Sequence, residues 1–312
     1  MPARSRLLFA LCAMTLATLP ASYADTDSGN TGSRPNIILI LTDDLGYGDI
    51  GANGADMIAT PNIDRLAREG VRLTSYYAPA NVCTPSRAGM LTGRQPIRMG
   101  LAAGVLFPRS KNGLPQAELT LPEMLATVGY RTAMVGKWHL GNTPEHWPTA
   151  HGFERFFGVP YSNDMSPFPL YEGDRVIEPE ADQSRLTERY TDTAIEIIEA
   201  AGDQPFFLYL AHTFPHIPLF AAPPFRGQSE AGLYGDTVET IDWSTGRILQ
   251  ALRENGLDDN TLVIFTSDNG PWFEGSAGES RDRKGGTWDG AYRVPFVARW
   301  PAGLPAGTVS PA

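Results

Sequence analysis

Four apolar, β-branched runs end abruptly at polar and chemically reactive side chains, and this pattern constrains the fold more than any other feature of the chain. The runs and their followers are residues 36–41 before Thr42-Asp43-Asp44, 132–135 before Lys137-Trp138-His139, 205–210 before His212 and His216, and 261–266 before Ser267-Asp268-Asn269. Continuous apolar runs of this length are typical of strands that are covered on both faces.

Segments with helical patterns lie between these runs, and each ends at a glycine. They span residues 63–69, 121–128, 191–201 and about 234–255, and they are followed by Gly70, Gly129, Gly202 and Gly256. Glycine just past the last turn is the usual stop signal of a helix. Strands that alternate with helices predict an α/β fold with a mainly parallel, mixed sheet sandwiched by helices.

The polar residues at the strand ends are expected to meet at one site, because ligands of such sheets bind outside the carboxyl ends of the strands. Asp43, Asp44, Asp268 and Asn269 offer only oxygen ligands, which suit Ca²⁺ or Mg²⁺ better than zinc. Adjacent aspartates are also common as turn and cap residues. The presence of acidic and amide side chains at two strand ends nevertheless favours a metal site.

Four cationic or proton-donating side chains form a second candidate set: Lys137, His139, His216 and Lys284. Taken singly, the lysines could be solvated surface residues and His139 a hydrogen-bonded core histidine. Their interpretation as a site therefore depends on the fold bringing them together.

Cys83 is predicted to be the only cysteine of the mature protein, because the other one, Cys12, lies in a segment that we expect to be removed. An unpaired thiol in an exported chain suggests a chemical role. Pro85 favours the first turn of a helix that runs to about Thr92, which places Cys83 at its N-terminus. The free amides and dipole there are expected to lower the pKa of the thiol, and Arg87 can reach the same end. An inert buried thiol is the alternative.

The N-terminus has the layout of a signal peptide over residues 1–24. Arg4 and Arg6 precede an apolar run at residues 7–19, and Ser22-Tyr23-Ala24 offers small residues for cleavage. The run is too short for a transmembrane helix. A buried N-terminal helix or a lipid anchor at Cys12 is less consistent with the sequence. We therefore expect export to the periplasm or the outside of the cell, or to a lysosome-type compartment in a eukaryote.

Residues 25–34 are predicted to be a flexible lead-in, and residues 35–312 a catalytic domain. No later segment is long and apolar enough to span a membrane. The formal net charge of −10, with no basic run, argues against nucleic acid as a partner. The chain stops in a loop without a closing element, so we expect the C-terminal end of the domain to be missing.

The segment Cys83-Thr84-Pro85-Ser86-Arg87 resembles the Cys-x-Pro-x-Arg signature of the sulfatases. Further blocks match that family in the same order: Asp43-Asp44, Leu91-Thr92-Gly93-Arg94, Gly136-Lys137-Trp138-His139-Leu140-Gly141, Pro215-His216-Ile217-Pro218, Asp268-Asn269-Gly270 and Lys284-Gly285. The resemblance extends from about residue 35 to the end and is closest to the arylsulfatase A-like branch, through Arg98-Met99-Gly100 and residues 158–162. It implies an alkaline phosphatase-like fold, with a smaller C-terminal subdomain missing here.

The resemblance implies a sulfuric ester hydrolase that cleaves sulfate monoesters to an alcohol and inorganic sulfate. In this family a maturation enzyme oxidises the signature cysteine, here Cys83, to formylglycine (3-oxoalanine), whose aldehyde hydrates to a gem-diol. By resemblance, one Ca²⁺ ion is held by this diol together with Asp43, Asp44, Asp268 and Asn269.

The resemblance also assigns the cationic residues. Arg87 would position the diol, Lys137 and Lys284 would hold the sulfate oxygens, and Ser162 falls where the family has a serine near the sulfate.

Two histidines receive proton-transfer roles by resemblance. His216 would protonate the leaving oxygen, helped by Lys284, and His139 would deprotonate the second diol oxygen to expel sulfate. His216 is chosen over His212, which lies in the same loop, because the proline-flanked segment around His216 matches the family.

Three alternatives remain open at this stage. The first is a formylglycine-dependent phosphonate or phosphodiester hydrolase, although Lys137, His139 and Lys284 favour the lower charge of sulfate. The second is a non-catalytic protein that binds Ca²⁺ or a sulfated glycan, with Cys83 unconverted. The third is a cysteine hydrolase that uses the free thiolate, for which the familiar protease signatures are absent. The sequence leaves open whether the ester is a small molecule, a glycan or a lipid.

Overall fold

The structure, a computed structural model, describes residues 34–311, and its framework is one ten-stranded sheet. The strands are β1 (Asn36–Thr42), β2 (Val71–Leu73), β3 (Arg131–Lys137), β4 (Arg155–Val159), β5 (Leu170–Glu172), β6 (Arg175–Glu178), β7 (Phe206–Ala211), β8 (Thr261–Ser267), β9 (Phe296–Arg299) and β10 (Thr308–Ser310). They lie in the order β10-β2-β9-β8-β1-β7-β3-β4-β5-β6.

The centre of this sheet is parallel. Strand β1 pairs in parallel with β7 and β8, and β3 pairs in parallel with β7 and β4. Antiparallel pairs join β8 to β9, β9 to β2, β4 to β5 and β5 to β6. The predicted mainly parallel, mixed sheet is therefore confirmed. In register, Leu41 lies opposite both Ala211 and Thr266, so the carboxyl ends of β1, β7 and β8 coincide.

Five α-helices cover the two faces of the sheet within the described residues. They are α1 (Pro61–Glu69), α2 (Cys83–Thr92), α3 (Leu121–Thr127), α4 (Leu186–Glu199) and α5 (Gly232–Glu254). Helix α4 begins earlier than predicted, because the Asp182 carboxylate accepts a hydrogen bond from Ser184 N at 3.1 Å and starts a turn that leads into it. Leu186 and Tyr190 of this added turn are fully buried.

Alternation along β1 divides the apolar core into two clusters. Ile38 and Ile40 face the side that α1, α4 and α5 cover, whereas Leu39 and Leu41 face the side of α2 and α3. Each such side chain, when fully buried, contributes roughly 1.5–3 kcal/mol to the hydrophobic free energy of folding. The helices thus sandwich the sheet and fix the strand ends that carry the polar residues.

The predicted signal peptide (1–24) and residues 25–33 of the predicted lead-in lie outside the described residues. From residue 34 to residue 311, the structure contains no helix that is long and apolar enough to cross a membrane.

Candidate active site

The carboxyl ends of β1 and β8 bring the acidic residues together. Asp268 N donates to Thr42 O at 3.1 Å, and Asp44 N donates to Asp268 Oδ1 at 3.3 Å. Asp44 adopts a left-handed backbone conformation with a φ of 68°, which is rare for residues other than glycine. Strain of this kind is concentrated at functional sites, where the surrounding structure maintains it. Asp43, Asp44, Asp268 and Asn269 are all buried, as predicted for one site.

Cys83 is the first residue of α2, so its predicted place at a helix N-terminus is confirmed. The thiol is buried and donates to Asp43 Oδ1 at 3.2 Å. The predicted lowering of the thiol pKa is wrong. Burial and the adjacent Asp43 carboxylate raise the pKa of Cys83 well above its usual value, against the opposing effect of Lys137. An unmodified Cys83 is therefore a neutral thiol, which does not support a hydrolase that uses the free thiolate.

The ligand atoms of Asp43, Asp44, Cys83 and Asp268 all lie within 4.8 Å of one another. Because Ca²⁺ binds oxygen ligands at about 2.3–2.6 Å, oxygens on opposite sides of the ion lie about 5 Å apart, and the cluster fits that spacing. Asn269 Oδ1 is buried and has no hydrogen-bond partner among the described residues, while its Nδ2 donates to Asp44 Oδ1 at 2.7 Å. This free amide oxygen is a further ligand of the same hard type.

The charges of the cluster also fit a cation. Lys137, His216 and Arg87 hold the pKa of Asp43 well below its usual value, although burial opposes its ionisation. Burial, and then repulsion from Asp43, raise the pKa of Asp268 to about 7. A divalent cation placed between the two carboxylates would relieve that repulsion.

Arg87 joins three parts of the site from its position one turn into α2. Its Nε donates to Asp268 Oδ2 at 2.9 Å and its Nη1 donates to Lys137 O at 2.6 Å, with the side chain fully buried. Its Nη2 lies 3.6 Å from Asp43 Oδ1. The guanidinium therefore fixes the Cys83 turn against the ends of β3 and β8.

Lys137, the last residue of β3, reaches into the same cluster. Its Nζ donates to Asp43 Oδ2 and, at 2.5 Å, to Ser162 Oγ. Ser162 is buried and had the weakest sequence support, since only a short segment suggested it. The structure brings it into contact with the predicted sulfate-binding lysine.

Lys284 and His216 lie at the more open side of the cluster. Lys284 Nζ donates to Asp44 Oδ2 at 2.8 Å, and His216 Nε2 lies 3.7 Å from the same oxygen. Their side chains are 12% and 8% exposed, whereas those of Asp43, Arg87 and Lys137 are fully buried. A substrate would therefore approach past Lys284 and His216.

His139 follows β3 and also has a left-handed backbone, with a φ of 61°. Its Nε2 lies 2.9 Å from Leu106 O, a carbonyl that only accepts, so Nε2 carries the hydrogen. Its Nδ1 is buried and has no hydrogen-bond partner within residues 34–311. Burial and the charge of Lys137 lower the pKa of His139 well below its usual value. The ring is therefore neutral, and Nδ1 offers a free lone pair to the site.

His212 lies outside the cluster. It is fully buried, its ring centroid lies 6.4 Å from that of Tyr190, and neither ring nitrogen has a hydrogen-bond partner in the described part of the chain. Burial lowers its pKa to about 3. Of the two histidines in this loop, the structure brings only His216 to the other site residues.

Sequence analysis missed two buried polar residues next to the site. Asp49 accepts hydrogen bonds from Gly46 N at 2.8 Å, Tyr234 Oη at 2.5 Å and Ser276 N at 2.9 Å, and so ties the loop after β1 to the segment before Lys284. Asn163 bonds to His216. Neither residue extends an apolar run or stands in a block that matched, so only the tertiary contacts identify them.

The sheet and the oxygen-rich cluster at its carboxyl edge define an alkaline phosphatase-like α/β protein. The family described as Sulfatase matches residues 35–312, and the chain belongs to the sulfatase family.

Curated relatives support the arylsulfatase A-like branch. The chain is 42% identical to arylsulfatase A of Bos taurus, over 96% of this chain and 64% of that protein. It is 41% identical to N-acetylgalactosamine-6-sulfatase of Mus musculus, over 88% of this chain and 59% of that protein. The chain thus spans about three fifths of the length of these relatives.

Solved structures share the fold at high similarity. The crystal structure of the PsFucS1 sulfatase from Pseudoalteromonas sp. superimposes with a TM-score of 0.83 at 33% identity, over 90% of this chain and 65% of that one. The structure of Ps i-CgsB in complex with k-i-k-neocarrahexaose gives a TM-score of 0.81 at 33% identity, over 89% of this chain and 68% of that one.

Proposed function

We propose that the protein hydrolyses sulfate monoesters to an alcohol and inorganic sulfate, with Cys83 matured to formylglycine. The observation that carries this proposal is the position of Cys83. Its side chain contacts Asp43 at the carboxyl edge of the sheet, inside a buried cluster of three carboxylates, with Lys137 and Lys284 bonded to the same carboxylates. A buried thiol with a raised pKa has little use as a nucleophile, but its position suits a modified side chain that acts there.

Asp43, Asp44, Asp268 and Asn269, together with the side chain at position 83, would hold one Ca²⁺ ion. When bound, the ion would supply the positive charge that makes a nearby oxygen nucleophile easier to deprotonate at neutral pH. Arg87, held by Asp268 and Lys137 O, would orient the side chain at position 83 toward the substrate.

Lys137, Ser162 and Lys284 would bind the sulfate group. Their polar atoms surround the Asp43 and Asp44 carboxylates from two sides, so an incoming sulfate would find fixed donors rather than mobile surface chains. Preorganised charges of this kind stabilise the charge that develops on transferring oxygens without reorganisation during the reaction.

His216 and His139 would move the protons. His216 Nε2 lies at the open side of the cluster, where the departing alcohol oxygen would be, and would donate a proton to it, helped by Lys284. His139 is neutral with a free Nδ1, which is the state that a general base requires, and would take a proton during sulfate release.

The substrate class follows from the relatives only in outline. Their names refer to aryl, steryl and N-acetylgalactosamine sulfates, and one structural neighbour was solved with a neocarrahexaose. We infer that the substrate is a sulfate ester of a small molecule, a glycan or a lipid. A formylglycine-generating enzyme would be the maturation partner, and export to the periplasm, the exterior or a lysosome-type compartment would be the destination.

Mass spectrometry of the tryptic peptide that contains Cys83, combined with turnover assays, tests the proposal. Protein produced with a maturation enzyme should carry the aldehyde at position 83 and should release sulfate from 4-nitrophenyl sulfate. Cys83→Ala, purified in parallel, should be inactive. An unmodified thiol in active protein would contradict the mechanism. Faster turnover of 4-nitrophenyl phosphate or phosphonate esters would instead indicate a phosphoryl-directed hydrolase, and Ca²⁺ or sulfated-glycan binding without turnover a binding protein.

A further inference from the structure

We propose that Asn163 is a positioning residue that fixes the tautomer and orientation of His216, and so enables hydrolysis of sulfate esters whose alcohols are poor leaving groups. This inference rests on the proposed function. It concerns a side chain that touches neither the carboxylate cluster nor its lysines, yet is buried beside the histidine at its open side.

The hydrogen bonds of His216 define which ring nitrogen faces the substrate. Its Nδ1 lies 3.0 Å from Asn163 Oδ1 and 2.5 Å from Ile217 O. Both partners are acceptors, so Nδ1 must carry a hydrogen. Nε2 is consequently the nitrogen that exchanges a proton, and it points toward the site, 3.7 Å from Asp44 Oδ2.

The orientation of the Asn163 amide is set by its other contacts. Its Nδ2 donates to Pro218 O at 2.8 Å and to Gln183 Oε1 at 3.0 Å. Gln183 is oriented in turn, because its Nε2 donates to Asn163 O at 3.1 Å. A backbone carbonyl thus fixes each of the two amides, and Asn163 can present only its oxygen to His216.

Asn163 contributes what the backbone alone cannot. Without its amide oxygen, Nδ1 would retain only Ile217 O, which belongs to the adjacent residue and does not hold the ring from outside its own loop. The ring could then rotate, or carry its hydrogen on the other nitrogen, and Nε2 would be misplaced. A partner that fixes the tautomer of a catalytic histidine commonly has a large effect on proton transfer.

The consequence depends on the leaving group. A 4-nitrophenolate departs readily without a proton, whereas an alkoxide of a sugar or simple alcohol requires protonation as its bond to sulfur breaks. A residue that acts through the leaving-group acid must therefore affect alkyl sulfates far more than 4-nitrophenyl sulfate. A residue that only supports the fold must affect both alike.

The test compares Asn163→Ala with the wild type in matured protein, with kcat/KM measured for 4-nitrophenyl sulfate and for a monosaccharide 6-sulfate. We expect a loss of about 10- to 100-fold on the sugar sulfate, a fraction of the 10²- to 10⁴-fold that a general acid contributes, and less than about 5-fold on the aryl ester. In a His216→Ala background, Asn163→Ala should cost little more, because the two residues act as a unit.

Gln204→Ala is the matched control. Gln204 is an exposed amide that donates to Gly129 O at 3.2 Å beside the amino end of β7, the opposite edge of the sheet, and its loss should not discriminate between the esters. Gln183→Ala provides a milder version of the Asn163 change, with the same bias toward the sugar sulfate, and replaces it as the test if Asn163→Ala does not fold.

Three outcomes would overturn the inference. They are an equal loss on both esters, a loss that adds fully to that of His216→Ala, and a wild type that cleaves the aryl ester but no alkyl sulfate. A matured wild type that releases sulfate from neither ester would contradict the proposed function itself, and that result is distinct from the other three.

Discussion

Arg87 and Asp268 form a fully buried ion pair in which Nε donates to Oδ2 at 2.9 Å. The pair connects the first turn of α2, which carries Cys83, to the end of β8, which carries Asp268 and Asn269. The helix that presents the reactive residue and the strand that presents the ligands are therefore held by one side chain. Its removal is expected to affect folding as well as chemistry.

Arg87→Ala should lower the free energy of unfolding by about 3–5 kcal/mol, because it leaves Asp268 buried without its partner. Arg87→Lys should cost less, since it keeps the charge but loses the second donor to Lys137 O. Urea unfolding measures both changes. Arg175→Ala removes an exposed arginine that is paired with Glu172 and should change stability by less than about 1 kcal/mol. Equal effects of Arg87→Ala and Arg175→Ala would contradict this account.

Gly136, the residue before Lys137, should not tolerate a side chain. Its φ is +113°, and a Cβ placed on it would lie 1.8 Å from Ala211 O on the neighbouring strand. Gly136→Ala should therefore separate β3 from β7, displace Lys137 and cost more than about 3 kcal/mol, which thermal or urea unfolding would detect.

Gly202→Ala is the control for Gly136→Ala. Its φ is also positive, at 59°, but a Cβ there would have no atom within 4 Å. It should cost only the backbone strain, about 1–2 kcal/mol. If the two variants were equally stable, the close approach at Gly136 would not be a packing constraint.

The central strands and the metal-type cluster could be predicted because both depend on local sequence. Residues 36–41 form a continuous apolar run that ends at Asp43 and Asp44, and parallel strands place such ends at one edge. The short strands β5, β6 and β10, by contrast, contain only three or four residues and depend on pairing with distant neighbours. A three-residue strand has no periodicity to recognise in the sequence.

The side-chain contacts of the site could be predicted only in part. The direction of the Cys83 pKa was wrong because a helix N-terminus is a local feature, whereas complete burial beside Asp43 is a tertiary one that outweighs it. The contact between Asn163 and His216 also joins segments that are far apart in sequence. Such contacts follow from packing, so no spacing along the chain indicates them.

Calcium should stabilise the protein. If Asp43, Asp44, Asp268 and Asn269 bind the ion only in the folded state, Ca²⁺ at one hundred times its dissociation constant should add about 2.7 kcal/mol to the free energy of unfolding. Thermal melts with Ca²⁺ and with a chelator measure this difference. Asp44→Asn should weaken the response, whereas Asp203→Asn, at an exposed turn, should preserve it. Identical melting temperatures with Ca²⁺ and chelator would contradict the metal site.

Acid should destabilise the protein partly through His212. Burial lowers the pKa of His212 from 6.5 to about 3 in the folded state, so between these values the unfolded chain binds a proton that the folded chain does not. The stability that comes from keeping this ring neutral is complete above about pH 6.5 and is lost as the pH falls. One such proton corresponds to a slope of about 1.4 kcal/mol per pH unit.

His212→Phe should reduce that slope by about one proton between pH 6 and pH 4, because phenylalanine fills the apolar site beside Tyr190 and does not titrate. Neither ring nitrogen has a hydrogen-bond partner within residues 34–311, so the substitution leaves no known acceptor or donor unpaired. Urea unfolding of both proteins at several pH values, with a chelator present throughout, isolates the effect, since the carboxylates of the site are common to the two. Parallel profiles would show that His212 is already neutral in the unfolded chain or charged in the folded one.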